Sequence, residues 1–493
     1  MNLHERALFL SGSFQQRLAT LDVINPSTGD VLARSASGSA ADIDEAVRLA
    51  TAAHQDRTWT SIDPLERTRI LVRAAELIRE RADEFSAVMS AEMGMTLNFA
   101  AWMEVPLAAN ALDYFATLIP QPSGVTAPFS LAGPQGDYLA MTVKQPIGVA
   151  GLITPWNFPL LMPVWKVGAA LAAGCPCILK PAPQSPFTAL LLAEVLHDAG
   201  VPAGVLSVIP GGDEAGRALV AHPDVPKIAF TGATETGKHI MRAAADHLKR
   251  LTLELGGKSA NIVFADTDLD EAVSGALFGI FLNSGQVCQA GSRVLVERSI
   301  YGAFTARLKE RVEELTVGDA GDISSDIGPV VSAEQYERVR GYIADGKRCG
   351  ATLLTGGGDV PGAGEGAGYF IPPTVFTDVT PDMPIAAEEI FGPVLSVIPF
   401  DTEKEALDIA NGSIYGLAGA VWTRDIKRAM RFARDLHAGT VWVNTYQILS
   451  PTLPFGGFKQ SGLGRELGPQ ALDAYLETKS IIVDLNDSPM QMF

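Results

Sequence analysis

Residues 147–181 read IGVAGLITPWNFPLLMPVWKVGAALAAGCPCILKP. Two short apolar runs, IGVAGLITP and CPCILKP, flank a longer one, PLLMPVWKVGAALAAG. The outer runs have the length and the β-branched content of buried strands, while the middle run has the length of a helix. Residues 145–165 run 21 positions without a charge, enough to span a bilayer, but Pro146, Pro155, Pro159 and Pro163 divide them into a strand, a turn and a helix start. The unit is a strand–helix–strand crossover, and such crossovers build parallel sheets.

The alternation continues downstream. SPFTALLLAEVLHDAG is a helix, VLSVIPG a strand and DEAGRALVAH a short helix. KIAFTG, ETGKHIMRAAAD and RLTLELGG follow as strand, helix and strand. Five apolar strands separated by helices predict a doubly wound parallel sheet. After Gly257 a second series begins, with strands NIVFAD, RVLVER, TVFTDV, LSVIPF, AGAVWT and GTVWVN. Its helices include SIYGAFTARLKERVEELTVG and DTEKEALDIANG. The expected fold class is therefore α/β, with two doubly wound α/β domains and a cleft between them, the usual place for a ligand.

Upstream, residues 40–120 carry helical apolar periodicity, and Asp63-Pro64 places a cap residue before a helix-compatible proline. Residues 121–146 are rich in Gly and Pro and suit a protruding hairpin, and TKSIIVDLN near the end reads as another strand. GGGDVPGAGEGAG at 356–368 reads as a surface loop.

Composition narrows the function. The 493 residues are 47% hydrophobic and 19% charged, which excludes disorder, and the length predicts roughly two to four domains. A formal charge of −18 disfavours a nucleic-acid or membrane-surface partner. Four cysteines in so long a chain exclude a disulfide scaffold and point to a reducing, cytoplasmic setting. The N-terminal MNLHERALFLSGSFQQR lacks the apolar stretch of a signal peptide.

Three polar groups stand out. Cys288, in FLNSGQVCQAGSR, follows an apolar helix and Gly285, a place that can expose a thiol; most free cysteines are simply small buried hydrophobes. Glu254 is a carboxylate in an apolar strand followed by two glycines, hence costly to bury unless functional or paired; the alternative is a solvated strand end. Asn157 falls at the carboxyl edge of the sheet, where α/β proteins put their ligands, or serves the turn before Pro159. The G-x-G-x-x-G dinucleotide fingerprint is absent; GLGRELG at 462–468 has the wrong spacing. Gly232 and Gly237 flank a helix start whose free N–H groups suit a pyrophosphate, or serve only a tight turn. Cys175 and Cys177 read as core, and without a second Cys/His cluster the pair is poor evidence for metal. None of the seven histidines lies in a distinctive motif, so a Cys–His hydrolase is unsupported.

TPWNFPL (154–160), ILKPA (178–182), FTGATETG (230–237), LELGGKSANIVF (253–264), NSGQVCQAGSR (283–293), EEIFGPVLSV (388–397), WVN (442–444) and PFGGFKQSGLGRELG (454–468) resemble the NAD(P)-dependent aldehyde dehydrogenase superfamily, in its hydrolytic, non-acylating branch. The resemblance runs in the family's order from INPSTGDV (24–31) to the C-terminal strand. It implies Cys288 as nucleophile, Glu254 as general base, Asn157 with the Cys288 N–H as oxyanion hole, and Lys166 on the proton path. For the cofactor it implies Pro155, Trp156, Lys180, Thr231, Gly232, Gly237, Glu389 and Phe391. Ala233 stands where the family usually has Ser.

Many NAD-preferring relatives carry an acid three positions after the lysine matching Lys180; here that position is Pro183, so NADP is expected to be accepted as well as NAD. Leu282 stands where relatives acting on succinate semialdehyde commonly show arginine. Phe158, Trp165, Leu282, Val287, Leu449 and Phe455 would make an apolar tunnel for an aromatic or medium aliphatic aldehyde. The resemblance divides the chain into a cofactor domain (1–122 and 147–256), a catalytic domain (257–460) and an oligomerisation element (123–146 and 474–493) of a homodimer or homotetramer. Two other readings are a CoA-acylating semialdehyde dehydrogenase, disfavoured by Glu254, and a crystallin-like descendant without turnover, disfavoured by Cys288, Glu254 and Asn157.

Overall fold

The computed structural model describes residues 3–121, 124–128, 137–360 and 368–487. The five anticipated strands are Ala150–Ile153, Cys177–Lys180, Leu206–Val208, Lys227–Thr231 and Arg250–Glu254, all parallel to their neighbours in this series. Ala150–Ile153 is central: the chain winds outward through Cys177–Lys180 on one side and Lys227–Thr231 on the other. The order therefore reverses beside this strand, opening a crevice at its carboxyl end where Thr154–Leu160 emerge.

Three further strands of this sheet escaped the sequence reading. Ala7–Leu10 and Ser13–Gln16 extend one edge as an antiparallel hairpin, and Gly462–Leu463 pairs with Leu253 and Glu254 at the other. All six expected strands of the second series form one sheet, widened by Thr352–Thr355. The loops that lead into its strands Ala260–Val263, Arg293–Glu297 and Val394–Phe400 carry Gly257, Cys288 and Glu389. They face the carboxyl ends of the first sheet across a cleft.

The strand Leu476–Asp484 pairs along its whole length with Tyr138–Pro146, which also holds Thr126–Ala127. Residues 129–136 of the anticipated hairpin and 361–367 of the glycine-rich loop lie outside the described residues. Among the described residues, no helix is long and apolar enough to cross a membrane.

The helical layer over residues 40–118 does more than cover the sheet. Asp63 caps Pro64–Glu80 as its sequence predicts, its carboxylate accepting from the Leu65 N–H at 2.9 Å. The helices Leu161–Ala173 and Phe187–Asp198 instead begin at Leu160 and Pro186, which supply no capping side chain. Buried carboxylates from the helical layer serve both. Glu104 accepts from the N–H groups of Leu160 and Leu161 at 3.2 and 2.9 Å. Glu92 accepts from those of Phe187 and Thr188 at 2.8 and 3.0 Å, and from the Thr188 hydroxyl. Burial pushes these carboxyls up to about 8 and about 7, because the caps only partly offset lost hydration.

Replacing Glu92 with Ala strands two backbone donors and a hydroxyl in the interior. The expected loss is about 1–3 kcal/mol of stability, read by chemical denaturation, with the rate of aldehyde oxidation unchanged.

Candidate active site

Cys288 is delivered by an unusual piece of backbone. The helix Leu269–Phe281 ends, and Asn283, Ser284 and Gly285 take positive φ in succession, at 48°, 55° and 73°. Two non-glycine residues in this region are strained, and hydrogen bonds hold them there. The Asn283 side chain donates to the Asn157 carbonyl at 2.9 Å, and the Ser284 hydroxyl to the Gly328 carbonyl at 2.8 Å. Gly285 is obligatory, since a Cβ would stand 2.1 Å from the Gly392 carbonyl oxygen.

Asn157 is buried in the turn between Ile153 and Leu161, and its side-chain amide donates to the Gln286 carbonyl at 2.8 Å. Gln286 in turn accepts from the Val331 N–H at 2.9 Å and donates to the Asn283 carbonyl at 3.2 Å. The turn and the Cys288 loop thus form one hydrogen-bonded unit, and the second N–H of the Asn157 amide remains available.

Glu254 ends its strand, 3% exposed, with no hydrogen-bond partner among the described residues for either carboxylate oxygen by side-chain geometry. Burial, reinforced by Glu466, holds its carboxyl well above the usual range; Lys166, Arg465 and the Gly457 N–H oppose the shift. Gly456 lets backbone pass close by, as a Cβ there would lie 2.7 Å from Glu254 Oε1. Lys166 is fully buried and forms an ion pair with Glu466. The sequence reading singled out Lys166 without its partner, because Glu466 lies 300 residues away. The Cys288 thiol is pushed up to about 12 by burial and by the negative potential of Glu389 and Glu254.

Two spaces meet at Cys288. One is the cleft, with about 1360 Å³ of atom-free space. Pro155, Trp156, Asn157, Thr231, Gly232, Glu254, Glu389 and Phe391 line it. Lys180 and Gly237 stand behind that wall. Gly237 brings its helix onto the sheet, where a Cβ would meet the Leu255 side chain at 2.6 Å. Lys180 is buried, which lowers its ammonium to about 8 against the pull of Asp213.

The cleft's chemistry fits a dinucleotide. The hydroxyls of Thr231 and Thr234 are buried without partners, and the helix Thr234–Ala244 starts at Ala233 with no side-chain cap. Uncapped N–H groups with idle hydroxyls make an anion cradle. Trp156 and Phe391 meet edge to face at 5.3 Å between centroids, forming an apolar wall. Glu389 accepts from the Gly257 N–H at 3.0 Å, and burial pushes its carboxyl up to about 7. Arg338, Tyr342 and Tyr415 also line the cleft and went unnoticed in the sequence, having no motif. Arg338 donates to the Glu389 carbonyl at 2.6 Å.

The other space is an apolar tunnel of about 420 Å³. It is lined by all six residues anticipated for it, Phe158, Trp165, Leu282, Val287, Leu449 and Phe455. Met103 and Leu107 complete one wall from the helical layer. Their helical spacing is indistinguishable in sequence from that of core residues.

This geometry can be compared with known proteins. The model of the aldehyde dehydrogenase family matches residues 14–481. An aldehyde dehydrogenase of Alternaria alternata is 45% identical over 490 residues, covering 97% of this chain and 95% of its own. The NAD+ complex of an aldehyde dehydrogenase from Bacillus cereus superposes with a TM-score of 0.94 at 44% identity, covering 98% of this chain and 97% of its own. The indole-3-acetaldehyde dehydrogenase AldA of P. syringae, in complex with NAD+ and IAA, gives 0.94 at 41%, with the same coverage. The chain belongs to the aldehyde dehydrogenase family, and its reaction is the oxidation of an aldehyde with NAD(P)+.

A thiol held near 12 reacts only through its small thiolate fraction. In the cofactor-free protein, alkylation of Cys288 by iodoacetamide is expected to accelerate about tenfold per pH unit between roughly pH 7 and 9, followed by peptide mass spectrometry. A rate flat over that range would show a thiolate already formed.

Proposed function

We propose that this chain oxidises an apolar aldehyde, aromatic or medium aliphatic, to its carboxylic acid through covalent catalysis at Cys288. The observation that carries the reading is the meeting at one thiol of an apolar tunnel and a wider cleft, with the buried Glu254 carboxylate on the cleft wall.

Glu254, directly or through water, takes the proton from the Cys288 thiol. The sulfur attacks the aldehyde carbon, and the carbonyl oxygen gains charge as the thiohemiacetal forms. The free N–H of Asn157 and the backbone N–H of Cys288 receive that charge; one such donor is typically worth about 2.7–4 kcal/mol. The chemistry NAD(P)+ supplies when bound is acceptance of a hydride, which leaves the acyl group on sulfur as a thioester. Having released the thiol's proton to solvent, Glu254 takes a proton from water, the water oxygen attacks the thioester, and the acid leaves as that proton passes to sulfur. Lys166, paired with Glu466, holds a counter-charge beside Glu254 and serves its proton exchange.

Pro155, Trp156, Thr231, Gly232, Glu389 and Phe391 would hold the cofactor from the cleft wall, with Lys180 and Gly237 behind. Residues 1–122 and 147–256 form its domain, and 257–460 the catalytic domain. Residues 123–146 and 474–493 join copies into a homodimer or homotetramer, a role supported by Ile482 and Val483 exposed on the terminal strand. Four free cysteines support a cytoplasmic setting.

Cys288→Ala is expected to abolish oxidation. Glu254→Gln should give a burst of reduced nicotinamide and then stall, with the acyl group detectable on Cys288 by mass spectrometry. Steady turnover in that variant would refute the base. In the wild type the raised Glu254 carboxyl must lose its proton to act, so kcat rises with pH, with a midpoint above the ordinary carboxylate range.

An aldehyde panel measured with each cofactor tests the rest. Apolar aldehydes should exceed carboxylate-tailed ones in kcat/KM, and product formation should not require CoA. With Pro183 lacking a carboxylate and Lys180 retained, NADP+ should be used well within a thousandfold of NAD+. A preference for NAD+ of about a thousandfold or more would refute NADP acceptance.

A further inference from the structure

Glu104 sits at the end of a five-residue π-helical segment, Ala100–Glu104, set between the short helix Leu97–Phe99 and the helix Val105–Leu118. The Val105 N–H reaches back to the Ala100 carbonyl, and Pro106, having no N–H, cannot continue the pattern. Such single widened turns often occur at functional sites, where they redirect a side chain. Here the side chain is a carboxylate, wholly buried, and among the described residues it is held only by backbone N–H groups.

Its Oε1 receives the N–H groups of Leu160 and Leu161, while Oε2 is buried and unpartnered among the described residues. Its neighbours in the helical layer, Met103 and Leu107, form a wall of the tunnel. The turn it grips contains Asn157, whose amide meets the Gln286 carbonyl of the Cys288 loop, and Phe158, which also lines the tunnel. Glu104 therefore spans the tunnel wall and the turn that carries the amide. No other side chain caps this helix.

We propose that Glu104 is a positioning residue for the oxidation. By capping Leu161–Ala173 from another layer it sets where Asn157 stands relative to Cys288, and so couples the tunnel wall to the oxyanion site. The inference rests on the reading of Asn157 as an oxyanion donor. A displacement of a catalytic group by about 1 Å can cost around a hundredfold in rate, so a cap that fixes a turn within that tolerance matters to chemistry as well as to folding.

The test is the rate of the first-turnover burst of reduced nicotinamide, measured with cofactor affinity and stability in Glu104→Ala, Glu104→Gln, Glu92→Ala and Asn157→Ala. Glu104→Ala is expected to slow the burst by about tenfold or more at unchanged cofactor affinity, and Glu104→Gln, which keeps an acceptor oxygen, to restore it to within about threefold. Glu92→Ala, which removes an equivalent cap from the helix Phe187–Asp198 and not from the helix that follows Asn157, should lose stability and keep its burst. If Glu104→Ala does not fold, Glu104→Asp carries the test, its carboxylate one methylene too short; a burst slowed several-fold supports the proposal and an unchanged one overturns it. The proposal also fails if Glu104→Ala keeps a near-normal burst, if Glu92→Ala slows it equally, or if Glu104→Gln is as impaired as Glu104→Ala. A normal burst in Asn157→Ala would instead overturn the oxyanion reading itself.

Discussion

Four carboxylates in this molecule have been taken almost completely out of water, and what each finds in place of water orders the rest of the structure. Glu92 and Glu104 find the N-terminal N–H groups of helices that bring no cap of their own. Glu466 finds the ammonium of Lys166. Glu254 finds none of these in side-chain geometry and is left with a carboxyl far above its ordinary range. An unpaired buried charge is among the costliest things a fold can contain, so Glu92, Glu104 and Glu466 are each held by the donors they find. Glu254 lies on the wall of the cleft that Cys288 also lines.

The same contrast appears in the backbone. Most of the sheet core follows ordinary rules, with short β-branched strands in parallel register and helices on both faces. The departure is concentrated at Asn283–Gly285, where three left-handed residues precede Cys288. That strain is maintained by contacts that run back to Asn157 and Gly328 and by the bare backbone of Gly392. Strain held in this way places the Cys288 thiol reproducibly, because moving it would require several buried hydrogen bonds to break together.

Much of this was legible in the sequence, and the reasons for what was not are physical. Parallel strands are buried on both faces, so Ala150–Ile153 and its neighbours declare themselves as continuous apolar runs. Glu254 and Cys288 are conspicuous as polar atoms in apolar surroundings, and the apolar tunnel residues follow from the resemblance. Ala7–Leu10, Ser13–Gln16 and Gly462–Leu463 were missed because they are two to four residues long and lie far in sequence from the parallel strands they extend; the last contains a glycine and reads as a loop. Glu92 and Glu104 lie in amphipathic helices where a glutamate ordinarily faces water, and only the tertiary arrangement reveals that each is aimed at a helix end far along the chain. The pairing of Lys166 with Glu466 is invisible for the same reason.

The high thiol and the high carboxyl at the site are two views of one electrostatic fact. Cys288 is pushed up in part by Glu254, so a thiolate and a carboxylate together would place two negative charges in a poorly hydrated space. One negative charge shared between them is the accessible state. Passing the proton from sulfur to Glu254 relocates that charge without adding to it, and passing it back after hydrolysis restores the starting arrangement. In the proposed chemistry the nucleophile and the base therefore alternate as holders of a single charge in a space that hydrates neither of them well.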